Sequence, residues 1–187
     1  MKLRKEITNT IAALNKGATI LYPTDTVWGI GCDATNEIAV EKIYAIKQRN
    51  KNKSLLILVN DFEMLQKYIP QISENVKLFL AKQTKPTTVI YTNPIGLAQN
   101  TIAKDDTIAI RIVKNNFCSA LIKEFGKPII STSANISGSN TPINFKTINT
   151  KIINAVDYVV SVKNEQATNK SSKIIKFVEN KIIILRK

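Results

Sequence analysis

In Ala18-Thr19-Ile20-Leu21-Tyr22-Pro23-Thr24-Asp25-Thr26-Val27-Trp28-Gly29-Ile30-Gly31 a short apolar run is stopped by proline, gives way to hydroxyl and carboxyl side chains, and resumes as an apolar, glycine-punctuated segment. Ala18 to Tyr22 reads as a buried strand, because a short apolar run bounded by a breaker has that length and composition. Val27 to Cys32 fits either a short strand or an extended loop. Short polar side chains at the end of an apolar strand are typical of sheet-based sites, where loops at strand ends carry the chemistry.

Two further clusters repeat this arrangement. Lys47-Gln48-Arg49 closes a helical pattern, and Ser131-Thr132-Ser133-Ala134-Asn135-Ile136-Ser137-Gly138 follows an apolar run. The chain contains no histidine, so a serine triad has no imidazole base. Chemistry must come from hydroxyls, amides and cations.

Around these clusters, helices and strands interleave. Leu3, Ile7, Ile11 and Leu14 recur at helical spacing over residues 3–15, with Gly17 as a stop. Residues 37–47 form a helix capped by Thr35 or Asn36. Ser54 to Val59 is a strand, and Asp61 to Tyr68 and Ser73 to Ala81 are helical. Thr87 to Tyr91 and Thr107 to Val113 are β-rich. Asn116 to Phe125 is a helix closed by Gly126 and Pro128, and Ile129 to Ser131 is a strand. In the tail, Val156 to Val162, Lys173 to Val178 and Lys181 to Leu185 are β-rich, with a hairpin at Glu179-Asn180. Asn164 to Ser171 is polar and predicts a mobile loop. The pattern predicts one α/β domain over residues 1–187, with a twisted mixed sheet flanked by helices, a concave basic cleft and antiparallel additions near the C-terminus.

Composition bounds the function classes. The chain has 187 residues, enough for one well-buried domain. No apolar run approaches a membrane span, and the N-terminus lacks the apolar stretch of a secretory signal. Cys32 and Cys118 make neither a disulfide framework nor a zinc motif. A reduced, cytoplasmic protein with no membrane association is expected. The net charge of +13 fits a nucleic-acid surface or an anionic small-molecule substrate combined with a generally lysine-rich composition. The lysines are scattered rather than clustered, which favours the second.

Gly29-Ile30-Gly31-Cys32-Asp33-Ala34 matches the dinucleotide fingerprint only in form. That motif needs an acidic residue about 20 positions on, and none lies between Glu41 and Asp61. The glycines instead permit tight backbone geometry or close approach. Carboxylates are few and, apart from Asp105-Asp106, unpaired in sequence, which argues against a dedicated two-metal site.

Lys47 and Arg49 have two readings. Cations in a last helical turn complement the helix dipole, and with Lys51 and Lys53 nearby they also suit phosphates. Ser131 to Gly138 holds more hydroxyls than a turn or cap requires, which suits an anion. Arg111 lies inside Ile108-Ala109-Ile110-Arg111-Ile112-Val113, on one face with Ala109 and Val113 if the run is a strand. Either it decorates an edge or it is a half-buried anion ligand. The ligand reading is preferred, since a buried arginine needs a partner.

The clusters, in this order and spacing, resemble the YrdC-like family of threonylcarbamoyl-AMP synthases. Tyr22 to Gly31 matches its Pro-Thr-acidic-Thr-Val-aromatic-Gly-x-Gly block, Lys47-Gln48-Arg49 its Lys-x-Arg, and Ser133 to Gly138 its Ser-Ala-Asn-x-Ser-Gly. The similarity runs from about Ile7 to Arg186. It implies synthesis of threonylcarbamoyl-AMP and pyrophosphate from L-threonine, bicarbonate and ATP, with Mg²⁺ carried mainly on the ATP phosphates. The product would feed proteins that modify an adenosine beside the anticodon of some tRNAs. Carried over by position, Thr26, Arg111, Ser131 and Ser172 would hold threonine. Lys47, Arg49, Lys53, Thr107, Ser133, Asn135, Thr141 and Arg186 would surround ATP, with Lys47 and Arg49 as the catalytic cations. Asn50 and Ser54 stand where prolines are usual, and Leu58 where some members have histidine. Thr84-Lys85-Pro86 replaces the common Pro-Gly-Pro, and Lys173 a threonine. The other readings are an RNA-binding module of the same fold, with direct RNA contact, and a related enzyme with another amine substrate.

Overall fold

The computed structural model describes residues 2–52, 54–162, 170–179 and 181–187. Lys53, expected near ATP, lies outside the described residues, as do residue 163, residues 164–169 of the expected loop and Asn180 of the hairpin.

Helix α1 (Lys2–Asn15) buries Ile7 and Leu14 and ends before Gly17, whose φ of 70° is costly for other residues. Strand β1 (Ile20–Tyr22) follows. The ambiguous segment resolves as a second short strand, β2 (Gly29–Gly31), antiparallel to β1. Its glycine is obligatory at Gly31: an added Cβ would collide with the Ile130 carbonyl and the Tyr22 ring. Helix α2 (Glu37–Lys47) starts where the Asn36 side chain accepts the Ala39 amide. Next come β3 (Leu56–Val59), α3 (Phe62–Tyr68, capped by Asp61) and α4 (Glu74–Lys82, capped by Ser73). Then follow β4 (Thr87–Thr92), β5 (Thr107–Ile112), α5 (Asn116–Phe125) and β6 (Ile129–Ser133).

The expected tail strand from Val156 to Val162 is mostly something else. A short helix α6 (Thr150–Ala155) precedes it, and only Tyr158–Val159 form strand β7. Asn149 caps α6 through the Lys151 amide, a start signal outweighed in the sequence by the β-branched residues that follow. Strands β8 (Lys173–Val178) and β9 (Lys181–Arg186) pair as a hairpin, with Val178 opposite Lys181.

Among the described residues these strands form one sheet of nine, in the order β7-β1-β2-β6-β3-β5-β4-β8-β9. It is mixed, as expected: β1/β7, β3/β5 and β4/β8 are parallel and the other neighbours antiparallel. The C-terminal additions are therefore one parallel and one antiparallel strand at that edge. Register fixes the two faces. Leu56 lies opposite Ala109 and Ser131, and Leu58 opposite Arg111, so these side chains share one face. Ile57, Ile110 and Ile130 turn to the other and are fully buried. Helices α3 and α5 pack against β3, and α1 packs on α5.

Candidate functional site: an arginine-lined cavity on one sheet face

A cavity of about 450 Å³ opens on the face that carries Ala109 and Arg111, within the range of small-molecule sites. Strand alternation supplies its floor: Gly29, Ser131, Ser133, Leu56, Ala109, Arg111, Ile90, Thr88 and Ile174 all line it. Thr24, Thr26, Arg49, Asn52, Ser54, Ser172 and Arg186 complete much of the wall. Three arginines and many hydroxyls thus face one space. No Asp or Glu is among the described residues lining it.

Arg111 lies in the middle of the sheet, since β5 runs between β3 and β4. It is 2% exposed, which rules out the edge decoration. Its nearest anion is within the chain: Nη2 stands 2.9 Å from Oδ1 of Asp25 and 3.4 Å from the Thr26 hydroxyl. Nε of Arg111 has no hydrogen-bond partner among the described residues. A buried guanidinium that lines the cavity and keeps an unpartnered Nε–H has donor capacity left for a second planar anion.

The Thr24-Asp25-Thr26 turn holds this arrangement. The Thr24 hydroxyl accepts the Thr26 amide at 3.1 Å and donates to the Val27 carbonyl at 2.7 Å. It also lies 2.9 Å from the Thr26 hydroxyl. Such side-chain-to-backbone bonds are how threonine stabilises a tight turn.

Lys47 is 1% exposed. Its ammonium donates to the carbonyls of Ser133, at 2.5 Å, and Asn135, at 2.7 Å, while its own carbonyl accepts the Ser137 amide. Lys47 thereby stitches the end of α2 to the third polar cluster and does not line the cavity. Burial, with help from the charge of Arg49, lowers its pKa from 10.5 to about 8. Arg49 lines the cavity and donates from Nη2 to the Ser54 carbonyl at 3.0 Å.

Asn135 also holds the cluster's shape. It accepts from the Ser133 hydroxyl at 2.5 Å and donates to the carbonyls of Ile136 and Ser139. Ser172 meets the Thr88 hydroxyl at 2.8 Å. Its carbonyl accepts from Nε and Nη2 of Arg186, at 3.1 and 2.9 Å. Burial and the positive charge of Arg111 lower the pKa of Arg186: two like charges share the cavity, and an anion between them relieves that repulsion.

The four residues carried over to threonine, Thr26, Arg111, Ser131 and Ser172, therefore lie together in the cavity. Of the residues carried over to ATP, Arg49, Ser133 and Arg186 join them, and Lys47 and Asn135 support the wall. Thr107 sits at the far end of β5, bonded to the Asp105 carboxylate at 2.6 Å, and Thr141 is exposed; neither lines the cavity. Among the departures, Ser54 lines the cavity and Leu58 lies beside Arg111 on its face. Asn50 accepts the Asn52 amide. Thr84 and Lys85 are exposed, and the Lys173 amide donates to the Pro86 carbonyl. Burial raises the pKa of both thiols, Cys32 and Cys118, so neither is an activated nucleophile.

Sequence reasoning assigned no role to Asp25, Thr88 or Thr24. Asp25 stood in the first cluster, and its pairing with a residue 86 positions away is invisible without the strand order. Thr88 shares a face with Ile90, which period-2 alternation in β4 does show.

A family model described as "Telomere recombination", of the Sua5, YciO and YrdC proteins, matches residues 12–187. The threonylcarbamoyl-AMP synthase of Pseudoalteromonas translucida is 34% identical over 169 residues, covering 86% of this chain and 87% of that protein. A variant of P. abyssi Sua5 superposes with a TM-score of 0.88 at 25% identity. P. abyssi Sua5 complexed with L-threonine does so with a TM-score of 0.87 at 24% identity. Each structure covers 96% of this chain, which spans only 55% and 53% of theirs. With the family match over nearly its whole length and the end of α2 joined to the third polar cluster beside the cavity that the first cluster lines, the chain belongs to the Sua5/YciO/YrdC family.

Proposed function

We propose that the chain is an L-threonylcarbamoyladenylate synthase, a nucleotidyltransferase acting in the cytoplasm as one domain over residues 1–187. The observation that carries this reading is Arg111: a buried guanidinium with an unpartnered Nε–H, in the cavity that Thr26, Ser131, Ser172, Arg49 and Arg186 also line. The synthase name of the 34% identical relative and the threonine complex of P. abyssi Sua5 support it.

The threonine amine takes up bicarbonate to give a carbamate with loss of water. A carbamate oxygen then attacks the α-phosphorus of ATP, and pyrophosphate leaves. Arg111 holds the threonine carboxylate by two parallel hydrogen bonds. Arg49 and Arg186 meet charge on the phosphates. No side chain forms a covalent intermediate; the chain positions reactants and stabilises developing charge. The cavity lining offers hydroxyls and guanidiniums rather than carboxylates, so it suits phosphate oxygens and not a bare cation. Mg²⁺ would enter on the ATP phosphates and neutralise the leaving pyrophosphate. The product would pass to proteins that transfer the threonylcarbamoyl group to tRNA.

Incubation with ATP, L-threonine and bicarbonate, with the nucleotide products read by mass, tests the proposal. The expected product is threonylcarbamoyl-AMP. Its absence, together with salt-sensitive RNA binding, would favour the RNA-binding module. A different carbamoyl adenylate from a panel of amines would identify another substrate.

A further inference from the structure

Arg111 and Arg186 face the same cavity but are compensated differently. Arg186 donates to neutral acceptors of Ser172 and has no carboxylate partner among the described residues. Arg111 has the Asp25 carboxylate at 2.9 Å. Asp25 is 4% exposed and does not line the cavity, so it reaches a ligand only through its charge and through Arg111. The other cation near it is Lys114, whose ammonium is bonded to the Gln83 carbonyl; the Lys114 amide faces Oδ2 of Asp25 at 3.5 Å. Asp25 is therefore paired with Arg111 alone among the described side-chain cations.

We infer that Asp25 determines specificity, making the Arg111 subsite accept a carboxylate monoanion and reject a phosphate. Arg111 brings one positive charge and Asp25 returns one negative charge just behind it, in a setting where charges are weakly screened. A monoanion bound at Arg111 feels Asp25 once, and a dianion feels it twice. Geometry still rewards a planar carboxylate, while the net field no longer rewards extra negative charge. Without Asp25, a cavity carrying three guanidiniums would draw phosphate groups to Arg111 as readily as to Arg186, and ATP would compete with the amino acid for its own place. The inference rests on the threonine reading for the identity of the monoanion, though not for the charge selectivity.

The test titrates the full chain, at fixed ionic strength, with L-threonine and with inorganic phosphate, comparing wild type with Asp25→Asn. Binding is followed by calorimetry and at the Arg111 Nε–H resonance, assigned by its loss in Arg111→Lys. The expected result is a shift of the phosphate-to-threonine affinity ratio toward phosphate by on the order of tenfold or more in Asp25→Asn. Asp25→Glu, which keeps the charge, should retain most of the wild-type preference. An unchanged ratio in Asp25→Asn overturns the inference. Because Asp25→Asn leaves Arg111 buried with a neutral partner, its folding is not assured, so a wild-type measurement stands beside it. Acetate should perturb the Arg111 Nε–H resonance at lower concentration than sulfate, and the reverse order also overturns the inference. Wild type that prefers acetate to sulfate but binds no threonine would remove the proposed function and leave the charge selectivity standing.

Discussion

The ammonium of Lys47 donates to the carbonyl of Asn135 at 2.7 Å, joining residues 88 positions apart. With the bond to Ser133, it closes the third polar cluster onto the end of α2. Lys47→Ala removes a buried side chain and takes a donor from two carbonyls, of which that of Ser133 keeps the Asn135 amide. A loss of about 2–4 kcal/mol in unfolding free energy is expected. Arg49→Ala, by contrast, should leave the denaturation midpoint nearly unchanged while weakening ATP use. Equilibrium urea unfolding of both variants separates the two residues, and equal destabilisation would contradict the assignment.

The lowered pKa of Lys47 has a signed consequence. Its folded value of about 8 lies below the ordinary 10.5. Between these values the unfolded chain binds more protons, so this residue makes stability rise with pH across that window. Below about pH 8 the cost of burying the charge is fully present. Taken from pH 7 to 10.5, the stability of wild type should rise relative to that of Lys47→Met above about pH 8, and parallel curves would place the pKa elsewhere. Direct titration of the Lys47 Cε resonance should show a midpoint of about 8.

Arg111→Lys keeps a positive charge but loses the planar fork. Threonine affinity should fall on the order of tenfold to a hundredfold, as expected for a charged hydrogen bond of roughly 1.5–3 kcal/mol. ATP affinity should hardly change. Titration of each ligand by calorimetry checks both halves; equal threonine affinity in the two proteins would remove Arg111 from the substrate.

Gly31→Ala should be among the more damaging small substitutions. Its Cβ would meet the Ile130 carbonyl, already an acceptor for the Tyr22 hydroxyl at 2.9 Å, and the Tyr22 ring. Overpacking of this kind costs typically 1–3 kcal/mol, so the melting temperature should drop by several degrees. A melting temperature equal to wild type would show that the β2–β6 pair separates easily.

Arg186 is exposed apart from its bonds to Ser172. Arg186→Ala should therefore weaken ATP binding with little change in melting temperature, and a thermal shift assay with and without ATP reads both. Unchanged ATP protection would place the nucleotide away from β9.

Much of this architecture was legible in the chain. Asn36, Asp61 and Ser73 cap the helices that the spacing of apolar residues called for, because cap chemistry and amphipathic period are both local. Arg111 was legible as a cation needing a partner. The partner itself was not, since Asp25 reaches it only through the placement of β2, β6 and β3 beside β5. Lys47 was legible as a helix-end cation or a phosphate grip, and its burial depends on the Ser133 to Asn135 backbone folding back over α2. Helix α6 was missed because a six-residue helix has too few turns to display a period.

The placement of β6 between β2 and β3 sets an order of events during synthesis. The ribosome delivers β1 to β5 before β6 exists, so a nascent chain of about a hundred residues carries two separate groups of strands with exposed edges and nothing to join them. Only when Ile129 to Ser133 emerge can one strand bond to Gly29–Ile30 on one side and Leu56–Leu58 on the other. Translation at roughly 5–20 residues per second leaves those edges unpaired for several seconds, long enough for holdase chaperones to engage them. The strand that brings Ser131 and Ser133 to the cavity is thus also the one whose arrival joins the two groups of strands, leaving only the outer edges of β1 and β4 for β7 and β8 to cover.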